Sequence, residues 1–481
     1  MSLLSLHLFL PIIGIIVLSI VKKDLLLYIT HLLISLASFL LAIIIFTEKN
    51  YYLEHSLNVL EIIPKISLSF SLDGLGLIFL LVSNFLWLVT TVYSDRYLKL
   101  NNIGNKSKFY IFFTLAMFST NAIIYSSNLF TTFIFYEFLT LSTYPLVAFK
   151  MDRQSIDNGK RYLYYLLGTS IVFLLPAIIL TFNLTGSLDY KPGGIFLDNQ
   201  SYLMINALVL LFLFGVAKSA IMPFHKWLPA AMVAPTPVSA LLHAVAVVKS
   251  GVFIIMKIIL FIFGTQLLQK TGADLILIFF SSLTILFASI VALRQDNIKL
   301  RLAYSTVSQL SYIVLSVSIL APLSILAAVL HLVFHALGKI MLFLSAGVLT
   351  TCMKIKNVSD MDGVSSKTPF TIFFILLGAL IMVGIPPTVG FFSKWYLLLG
   401  IVQSEKIYLF IILIVSTLLN ASYYFPMIYR SYFCKNNSVY KDDQAEDSLL
   451  ILPIIIVGVI TIMLFFGVDS IIMFTQGYII K

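Results

Sequence analysis

Five ionisable side chains stand inside long apolar stretches of this sequence, where they could transfer protons. Glu137, Lys218, Lys249, Lys339 and Lys394 each lie well within such a stretch. A charged side chain at the centre of a bilayer costs roughly 2.5–3.5 kcal/mol by insertion scales. Because loss of hydration penalises the ammonium form, a buried lysine can hold or release a proton at cellular pH, and a nearby carboxylate decides which. The set therefore indicates a proton relay of amines gated by one acid.

Four histidines extend this set as secondary relay residues: His225, His243, His331 and His335. His331, His335 and Lys339 fall at positions i, i+4 and i+8, which lie on one face of a helix. His243 precedes Lys249 by six residues. Histidine titrates near neutrality and can relay protons through water. The spacing offers no third metal ligand, so we predict neither a metal site nor a cofactor.

Each of these residues also has a structural interpretation. A Glu137–Lys218 pair could be a static buried ion pair that fixes packing. The other lysines could extend to a membrane interface and keep their amines in water, and we favour this for Lys257, which lies nearer the end of its apolar stretch. The histidines could be hydrogen-bonded interior side chains. Only the positions of these groups relative to one another can separate a relay from these alternatives.

The composition identifies the medium in which these groups lie. Of 481 residues, 60% are hydrophobic and 11% are charged, whereas soluble chains carry about 25% charged residues. A soluble enzyme, a disordered chain and a nucleic-acid-binding module are therefore excluded. The two cysteines, Cys352 and Cys434, are far apart and offer no disulfide framework, zinc ligand set or iron–sulfur spacing. Redox chemistry would have to occur on another chain, and we assign no reaction to this one.

The apolar stretches predict an all-α polytopic membrane protein, since they are too long for barrel strands. We expect about fourteen transmembrane helices, at about 3–21, 25–46, 66–94, 108–125, 127–149, 162–185, 202–224, 236–263, 273–293, 302–320, 323–352, 369–400, 407–433 and 449–476. The third is expected to start after Asp73, which with Gly74 is typical of a helix N-cap.

Loop charges predict the orientation. The odd-numbered loops, counted with Lys108 and Arg430 at the ends of their helices, hold 20 Lys and Arg and the even-numbered loops hold 5, so the odd loops should face the cytoplasm and both termini the periplasm. The net charge of +10 is mostly this topology signal. Residues 1–21 have no basic leader, so we expect no cleavable signal peptide. The location we predict is the bacterial inner membrane.

Two predicted helices are interrupted by proline, which removes a backbone donor and clashes with the preceding turn. Pro223 interrupts the seventh, five residues after Lys218, and Pro386 and Pro387 interrupt the twelfth before Lys394. The two breaks are five spans apart, so the second helix runs in the opposite direction. This pattern is typical of inverted repeats in transporters, although simple packing kinks remain an alternative.

We therefore expect one membrane domain, 1–481, with two inverted five-helix repeats. Helices 1–3 occupy 1–94, repeat one about 108–263, repeat two about 273–433 and the last helix about 449–476.

Four segments resemble one known family. They are FYEFLTLSTYPLV at 135–147, KSAIMPFHKWLP at 218–229 with APTPVSALLH at 234–243, HLVFHALGK at 331–339 with FLSAG at 343–347, and GIPPTVGFFSK at 384–394. They are similar to the antiporter-like family of Mrp-type Na+/H+ antiporters, the proton-pumping subunits of NADH-quinone oxidoreductase (complex I) and membrane-bound hydrogenases. The resemblance implies a Glu137–Lys218 gate, a central relay at Lys249 and Lys339, and a terminal site at Lys394.

The branch of the family is a separate question. The M-type subunit of complex I usually carries a glutamate where Lys394 stands. The L-type subunit and the Mrp A subunit carry long C-terminal extensions, whereas this sequence ends after its fourteenth predicted helix. The resemblance therefore favours the D subunit of an Mrp-type antiporter, with the N-type complex I subunit second. The tenth predicted helix has no acid matching Glu137, so the two half-channels are not expected to be interchangeable.

Two functions follow as expectations. The first is a proton-conducting subunit of a multisubunit Na+ or K+/H+ antiporter, with a relay along the membrane midplane. The alternative is a proton-pumping subunit, N- or M-like, of complex I or a related hydrogenase. A scaffold subunit with inactive channels is a third, less favoured interpretation. The expected partners are other integral membrane subunits, protons, monovalent cations and the lipid bilayer, but not nucleic acid.

Overall fold

The computed structural model describes residues 3–53, 55–197, 200–435 and 445–480, and most of them are helical. Within these ranges, ten helices are long and apolar enough to cross a membrane. The other four predicted spans also coincide with helices, but these four are not among the ten: Leu129–Val147, Tyr202–Gly215, Ile298–Ser318 and Pro369–Val383. The helical, polytopic fold class is therefore confirmed, and fourteen crossings stay a prediction.

The N-terminal part is a helical unit with one hairpin inserted. Its elements are α1 (Leu3–Ile20), α2 (Asp24–Thr47), α3 (Lys49–Leu53), β1 (Ser56–Ile63), β2 (Ile66–Ser71), α4 (Gly74–Leu100), α5 (Lys106–Tyr125) and α6 (Leu129–Val147). The strands are antiparallel, with Ser56 opposite Ser71 and Ile63 opposite Ile66.

The hairpin corrects the third predicted span, 66–94. Residues 66–71 form β2 because apolar and polar side chains alternate there with the period of a strand. The helix begins at Gly74, and Asp73 accepts a hydrogen bond from the Gly76 N–H at 2.7 Å. The predicted start after Asp73 is therefore confirmed.

The next elements, together with α5 and α6, occupy the range 108–263 that is predicted as the first repeat. They are α7 (Arg153–Thr169), a π-helical turn (Ser170–Leu174), α8 (Leu175–Thr185), α9 (Tyr202–Gly215), α10 (Trp227–Ala230), α11 (Thr236–Ala240), a π-helical turn (Leu241–Val245), α12 (Val247–Lys257) and a third π-helical turn (Ile258–Phe263).

The remaining elements include the second predicted repeat and the C-terminal helices. They are α13 (Thr265–Thr271), α14 (Ala273–Arg294), α15 (Ile298–Ser318), α16 (Pro322–Val348), α17 (Pro369–Val383), α18 (Gly390–Gln403), α19 (Leu409–Phe433), α20 (Ser448–Phe466) and α21 (Val468–Tyr478). The last predicted span, 449–476, is thus two helices separated at Gly467. Residues 436–444, in the last predicted cytoplasmic loop, lie outside the described residues.

Both predicted breaks are present, but the first begins earlier than expected. α9 ends at Gly215, and a 3₁₀ turn at Ala217–Ser219 precedes Pro223. Lys218 therefore lies inside the break and not in the helix before it. A Cβ at Gly215 would lie 2.5 Å from the backbone nitrogen of Leu174. This contact between distant segments requires glycine, a weak helix former, at the place where α9 ends.

The centre of the bundle is α16, along which every residue from Ser324 to Val348 is buried. It packs against α4, α11, α15, α17, α18 and α20. A helix that is apolar on all sides is typical of a position surrounded by protein. The three polar residues of the predicted stripe on this helix are therefore held in the interior.

One ion pair holds the C-terminal helices to α4. Arg96 Nε lies 2.9 Å from Asp447 Oδ2, and Asp447 Oδ1 accepts from the Leu449 N–H at 3.0 Å, so Asp447 also caps α20. Partial burial raises the pKa of Asp447, but the hydrogen bond and charge of Arg96 outweigh it and hold the pKa below its ordinary value of 3.8.

This pair predicts a loss of stability in acid. A carboxyl group with a lowered pKa in the folded state stabilises above its ordinary pKa, and the contribution is lost as pH falls through the folded value. Because the pair is partly exposed, we expect about 1 kcal/mol or less. The thermal unfolding midpoint of the wild type should fall more than that of Arg96→Gln on acidification below pH 3.8. Equal decreases in the two proteins would contradict the assignment.

Candidate functional site

Lys218 lies in the break after α9, and its side chain is fully buried. Its Nζ donates to Tyr136 O at 2.7 Å and to Thr140 Oγ1 at 2.6 Å, and it lies 3.2 Å from the centroid of the Tyr136 ring. These acceptors are on α6, the helix that carries Glu137. In this state the amine is therefore held by a carbonyl and a hydroxyl group.

Glu137 is half-buried, and neither of its carboxylate oxygens has a hydrogen-bond partner among the described residues. It interacts electrostatically with Lys218, although no ion pair of the described residues joins the two directly. Ser170, in the π-helical turn after α7, lies near the carboxylate, but its hydroxyl donates to Leu167 O at 2.9 Å. The predicted acid and amine are thus electrostatic neighbours that do not bond directly.

Lys249 on α12 is also buried, and its Nζ donates to Leu332 O of α16 at 2.8 Å. The helix before it is irregular. A π-helical turn ends at Val245, and Ala246 has φ −113° and ψ −74°. The amine therefore meets the backbone of α16 between His331 and His335.

Lys339 is fully buried on α16 and bonded to α15 and α19. Its Nζ donates to Leu302 O at 3.1 Å, to Tyr424 OH at 3.1 Å and to Ser305 Oγ. Tyr424 OH in turn donates to Ser305 Oγ at 3.1 Å. Ser305 of α15 is thus a direct partner of Lys339.

Three of the four histidines line the space around these amines. His331 Nδ1 lies 3.0 Å from Ser393 Oγ, whereas His331 Nε2 has no partner among the described protein atoms. Both ring nitrogens of His335 and of His243 likewise have no partner in the described protein. Buried polar atoms of this kind are normally satisfied by ordered water. If His243 and His335 are hydrogen-bonded interior histidines, their partners are therefore water molecules and not side chains or backbone of the described residues.

Lys394 on α18 is half-buried, and its Nζ donates to Val383 O at 2.7 Å and to Thr417 Oγ1 at 3.1 Å. Val383 is the last residue of α17, so the amine satisfies a carbonyl at the C-terminal end of a broken helix. Cations at this end are favoured by the free carbonyls and the helix dipole.

The electrostatic neighbours show which of these residues come together. His335 is close enough to Lys249, Lys339, His331 and His243 to interact with them electrostatically. His331 is close enough to Lys249 and Lys394 to do the same. These six residues therefore form one cluster around α16, which we call the central cluster: His243, Lys249, His331, His335, Lys339 and Lys394.

The backbone at Lys218 packs closely against α12, the helix that carries Lys249 of the central cluster. A Cβ on Gly251, two residues after Lys249, would collide with the carbonyl carbon of Lys218 and the nitrogen of Ser219. The break that holds Lys218 therefore rests directly on the helix that holds Lys249.

His225 is the predicted relay residue that stands apart. It lies in the irregular segment after Pro223, close to Lys226 and 6.3 Å from Tyr304 between ring centroids. Its Nδ1 is buried and lacks a partner in the described part of the chain. Its place is at the end of the bundle where the broken helix reaches the loop.

Sequence reasoning missed Lys299. Its Nζ donates to Ala234 O at 3.0 Å, and it is an electrostatic neighbour of His243. The predicted span begins at about 302, because Lys299 and Arg301 lower the hydropathy at the start of α15. Residue 299 therefore falls in a predicted loop. A helix start at Ile298, capped by Asn297, would have pointed to it.

The expectation that Lys257 extends to water at the membrane interface is wrong. Its side chain is buried and forms an ion pair. Its Nζ lies 2.9 Å from Asp73 Oδ2, donates to Ser126 O at 2.9 Å and lies 4.1 Å from the Tyr190 ring centroid. The loops that follow α5 and α8 supply Ser126 and Tyr190 and cover the helix end. The pair links α12 to the first turn of α4.

Removing one charge of this pair should destabilise the fold. Asp73→Asn keeps an N-cap side chain but leaves the Lys257 amine without its counter-charge, so we expect a loss of about 2–4 kcal/mol. Lys257→Met in the same chain should recover part of the loss. Denaturation of the purified protein in detergent would measure both. A double variant no more stable than Asp73→Asn would contradict an energetic pairing.

Within the described residues, no group of three or more His, Cys, Asp or Glu side chains is arranged to hold a metal ion. Cys352 and Cys434 are both free. The polar groups that the fold does assemble are amines, imidazoles, hydroxyls and one carboxylate, which can exchange protons.

The fold and these residues define a polytopic, antiporter-like membrane subunit of the proton-translocating class. The chain belongs to the family described as NADH:quinone oxidoreductase/Mrp antiporter, transmembrane, whose model matches residues 126–420. This match covers more than half of the chain, and the family resemblance predicted from the sequence is confirmed.

Named relatives come from both branches. The chain is 35% identical to NADH-quinone oxidoreductase subunit N of Desulforudis audaxviator over 362 residues. This alignment covers 74% of this chain and 71% of that protein. It is 33% identical to subunit L of Buchnera aphidicola, over 77% of this chain and 60% of the relative. It is 32% identical to the putative antiporter subunit mnhA2 of Staphylococcus saprophyticus, over 71% of this chain and 44% of that relative. The chain thus spans less than two thirds of the last two relatives.

Solved structures share the fold. A chain of the membrane-bound sulfane sulfur reductase, an archaeal respiratory membrane complex, superposes with a TM-score of 0.87 at 22% identity, covering 99% of this chain and 97% of that one. A chain of the Mrp complex from Dietzia sp. DQ12-45-1b superposes with a TM-score of 0.81 at 23% identity, covering 96% of this chain and 49% of that one. Both neighbours are subunits of multisubunit membrane complexes.

Proposed function

We propose that this chain is the proton-conducting subunit of a multisubunit Na+ or K+/H+ antiporter, and that it corresponds to the D subunit of the Mrp type. The observation that carries the proposal is the state of the gate pair. Lys218 is bonded to Tyr136 O and Thr140 Oγ1 beside a carboxylate that has no hydrogen-bond partner in the part of the protein that the structure describes. An amine with two alternative sets of partners can take up a proton in one state and release it in the other.

The gate works by electrostatics. When Glu137 approaches Lys218, the opposite charges favour the ammonium form, and the pair is neutral. When the carboxylate moves away, the amine is left with a carbonyl and a hydroxyl group and should release its proton. The acceptors on α6 therefore hold the lysine in place while its charge changes.

The released proton passes next to the central cluster. Lys249 meets α16 at Leu332 O, beside His331 and His335. The ring nitrogens that have no described protein partner are suited to bind water and carry the proton to Lys339 or Lys394. Lys394, half-buried at the second helix break, is the terminal site. His225 and Lys299 lie where protons would enter from the cytoplasm, if the odd loops face that side.

Inverted repeats at about 108–263 and 273–433 remain part of this proposal. In support, a lysine at each break bonds to a backbone carbonyl group: Lys218, inside the first break, to Tyr136 O, and Lys394, on α18 after the second break, to Val383 O. The two halves differ in their acid, because Glu137 has no counterpart on α15.

The second candidate is a redox-driven pump subunit of the complex I type, favoured by the identity to subunit N over 71% of that protein. Proton movement through the same residues would then depend on electron transfer in partner subunits. The two functions differ in the energy source that the assembled complex requires.

Vesicles containing the assembled complex separate the two. With an imposed pH gradient and no electron donor, an antiporter subunit should let added Na+ or K+ discharge the gradient, as followed with a pH-sensitive dye. A pump subunit should leave the gradient unchanged by cations and should acidify the lumen only when donor and quinone are supplied. A cation-independent, donor-dependent response would overturn the antiporter proposal.

A further inference from the structure

A cavity of about 320 Å³ lies between α2, α4, α16 and the two C-terminal helices, away from the gate pair. Its lining is aromatic and aliphatic, including Phe39, Phe46, Phe85, Val333 and Phe474, and one hydroxyl, Ser470, is found among its described lining residues. The cavity opens to the outside of the bundle. It is therefore a cleft that an apolar molecule can enter from the side.

The cleft follows the helices that form it. Phe39 to Phe46 on α2 and Ile78 to Phe85 on α4 both line it, and seven residues of helix span about 10 Å. Both helices are apolar enough to cross a membrane, so the cleft lies in the hydrocarbon region. A hydrocarbon chain is the molecule available there that matches an elongated apolar space.

One end of the cleft carries a cation. Lys49, just after α2, has its Nζ 5.5 Å from the centroid of the Phe46 ring and 6.0 Å from that of Tyr478. The Phe46 and Phe474 rings lie 5.3 Å apart, and Phe474 stacks on Tyr478 at 4.8 Å. Among the ion pairs of the described residues, none includes Lys49. An amine at the end of a membrane helix, above aromatic side chains, is suited to an anionic headgroup.

We propose that this cleft binds an anionic phospholipid, with one acyl chain between α2, α4 and α16 and the headgroup phosphate on Lys49. The chain would contact Val333 and Leu337, which lie on the face of α16 away from His331, His335 and Lys339. The lipid would then support the helix that carries the central cluster. Lipid binding itself does not depend on the proposed transport function.

Photolabelling tests the site without a transport assay. The assembled complex is reconstituted in phosphatidylcholine vesicles containing phosphatidylglycerol with a photoreactive group in the middle of an acyl chain, and labelled peptides are mapped by mass spectrometry. We expect label on segments of α2, α4 and α16 that line the cleft. Phosphatidylglycerol should label them about fivefold more than an equally modified phosphatidylcholine, the factor expected for one lysine near an anionic lipid.

Two variants make the test specific. Lys49→Gln should remove the preference for phosphatidylglycerol, whereas Lys65→Gln, an exposed lysine in the turn of the hairpin, should keep it. Leu81→Trp should fill the cleft and lower labelling by both lipids. Labelling unaffected by either variant would overturn the proposal. So would cleft segments that stay unlabelled because a helix of a partner subunit covers them, which a crosslink to that subunit would reveal.

Discussion

We expect Lys218→Met to abolish cation/proton exchange in vesicles, and we expect the same of Glu137→Gln. Methionine keeps the length and apolar volume of the lysine but cannot carry a proton. Glutamine keeps the size of the glutamate but cannot change the charge state of Lys218. A positioned proton-transfer group contributes typically 10²–10⁴-fold to a rate, so we expect exchange to fall by about 100-fold or more.

The control for this experiment is a lysine of the same chain outside the relay. Lys160 on α7 is exposed, and Lys160→Met should exchange cations for protons at the wild-type rate. The amounts of each variant in the vesicles are compared by immunoblot, so that a folding defect is not read as a transport defect. Unchanged exchange in both gate variants would remove the Glu137–Lys218 gate from the mechanism.

Gly251→Ala should impair transport nearly as much, although residue 251 carries no ionisable group. Its Cβ would lie 2.7 Å from Lys218 O and still closer to two other backbone atoms of the break, too close for backbone atoms to accommodate. The break must therefore move away from α12, which shifts the Lys218 amine from Tyr136 O and Thr140 Oγ1. Since misplaced proton-transfer groups lose rate steeply, we expect a loss of about tenfold or more.

Gly168→Ala is the matched substitution. Gly168 lies in α7, with no atom within 4 Å of the position its Cβ would take. There alanine should be neutral or slightly stabilising, since glycine is the weaker helix former by roughly 0.5–1 kcal/mol. Exchange and thermal stability are measured for both variants. Equal behaviour of the two would show that the close packing of α12 on the break does not position Lys218.

The sequence predicted the helices well because burial in lipid requires long apolar stretches, which are visible in the composition of any window. The prediction failed at β2, because its six alternating residues were assigned to the same apolar span as α4. It also joined α20 and α21, because Gly467 interrupts the helix without lowering hydropathy. Local patterns of a few residues are hidden when a long window averages over them.

The candidate site residues could be proposed from the sequence because charge is rare in a chain with 11% charged residues. What could not be read from the sequence were their partners. The bonds of Lys218 to Tyr136 O and of Lys249 to Leu332 O join residues more than eighty positions apart. Lys257 was misjudged for the same reason, since its counter-charge, Asp73, precedes it by more than 180 residues. Such contacts depend on the tertiary arrangement of helices.

The proposed function requires that buried ionisable side chains form a continuous proton path across the middle of the bundle. The most direct test is an electron cryomicroscopy map of the assembled complex in a lipid nanodisc, at a resolution that shows ordered water. We predict water molecules bonded to the ring nitrogens of His243 and His335, joining Lys218 to Lys249, Lys339 and Lys394 in one hydrogen-bonded chain. Apolar side chains packed without water between Lys218 and Lys249, or between Lys249 and Lys339, would contradict the account.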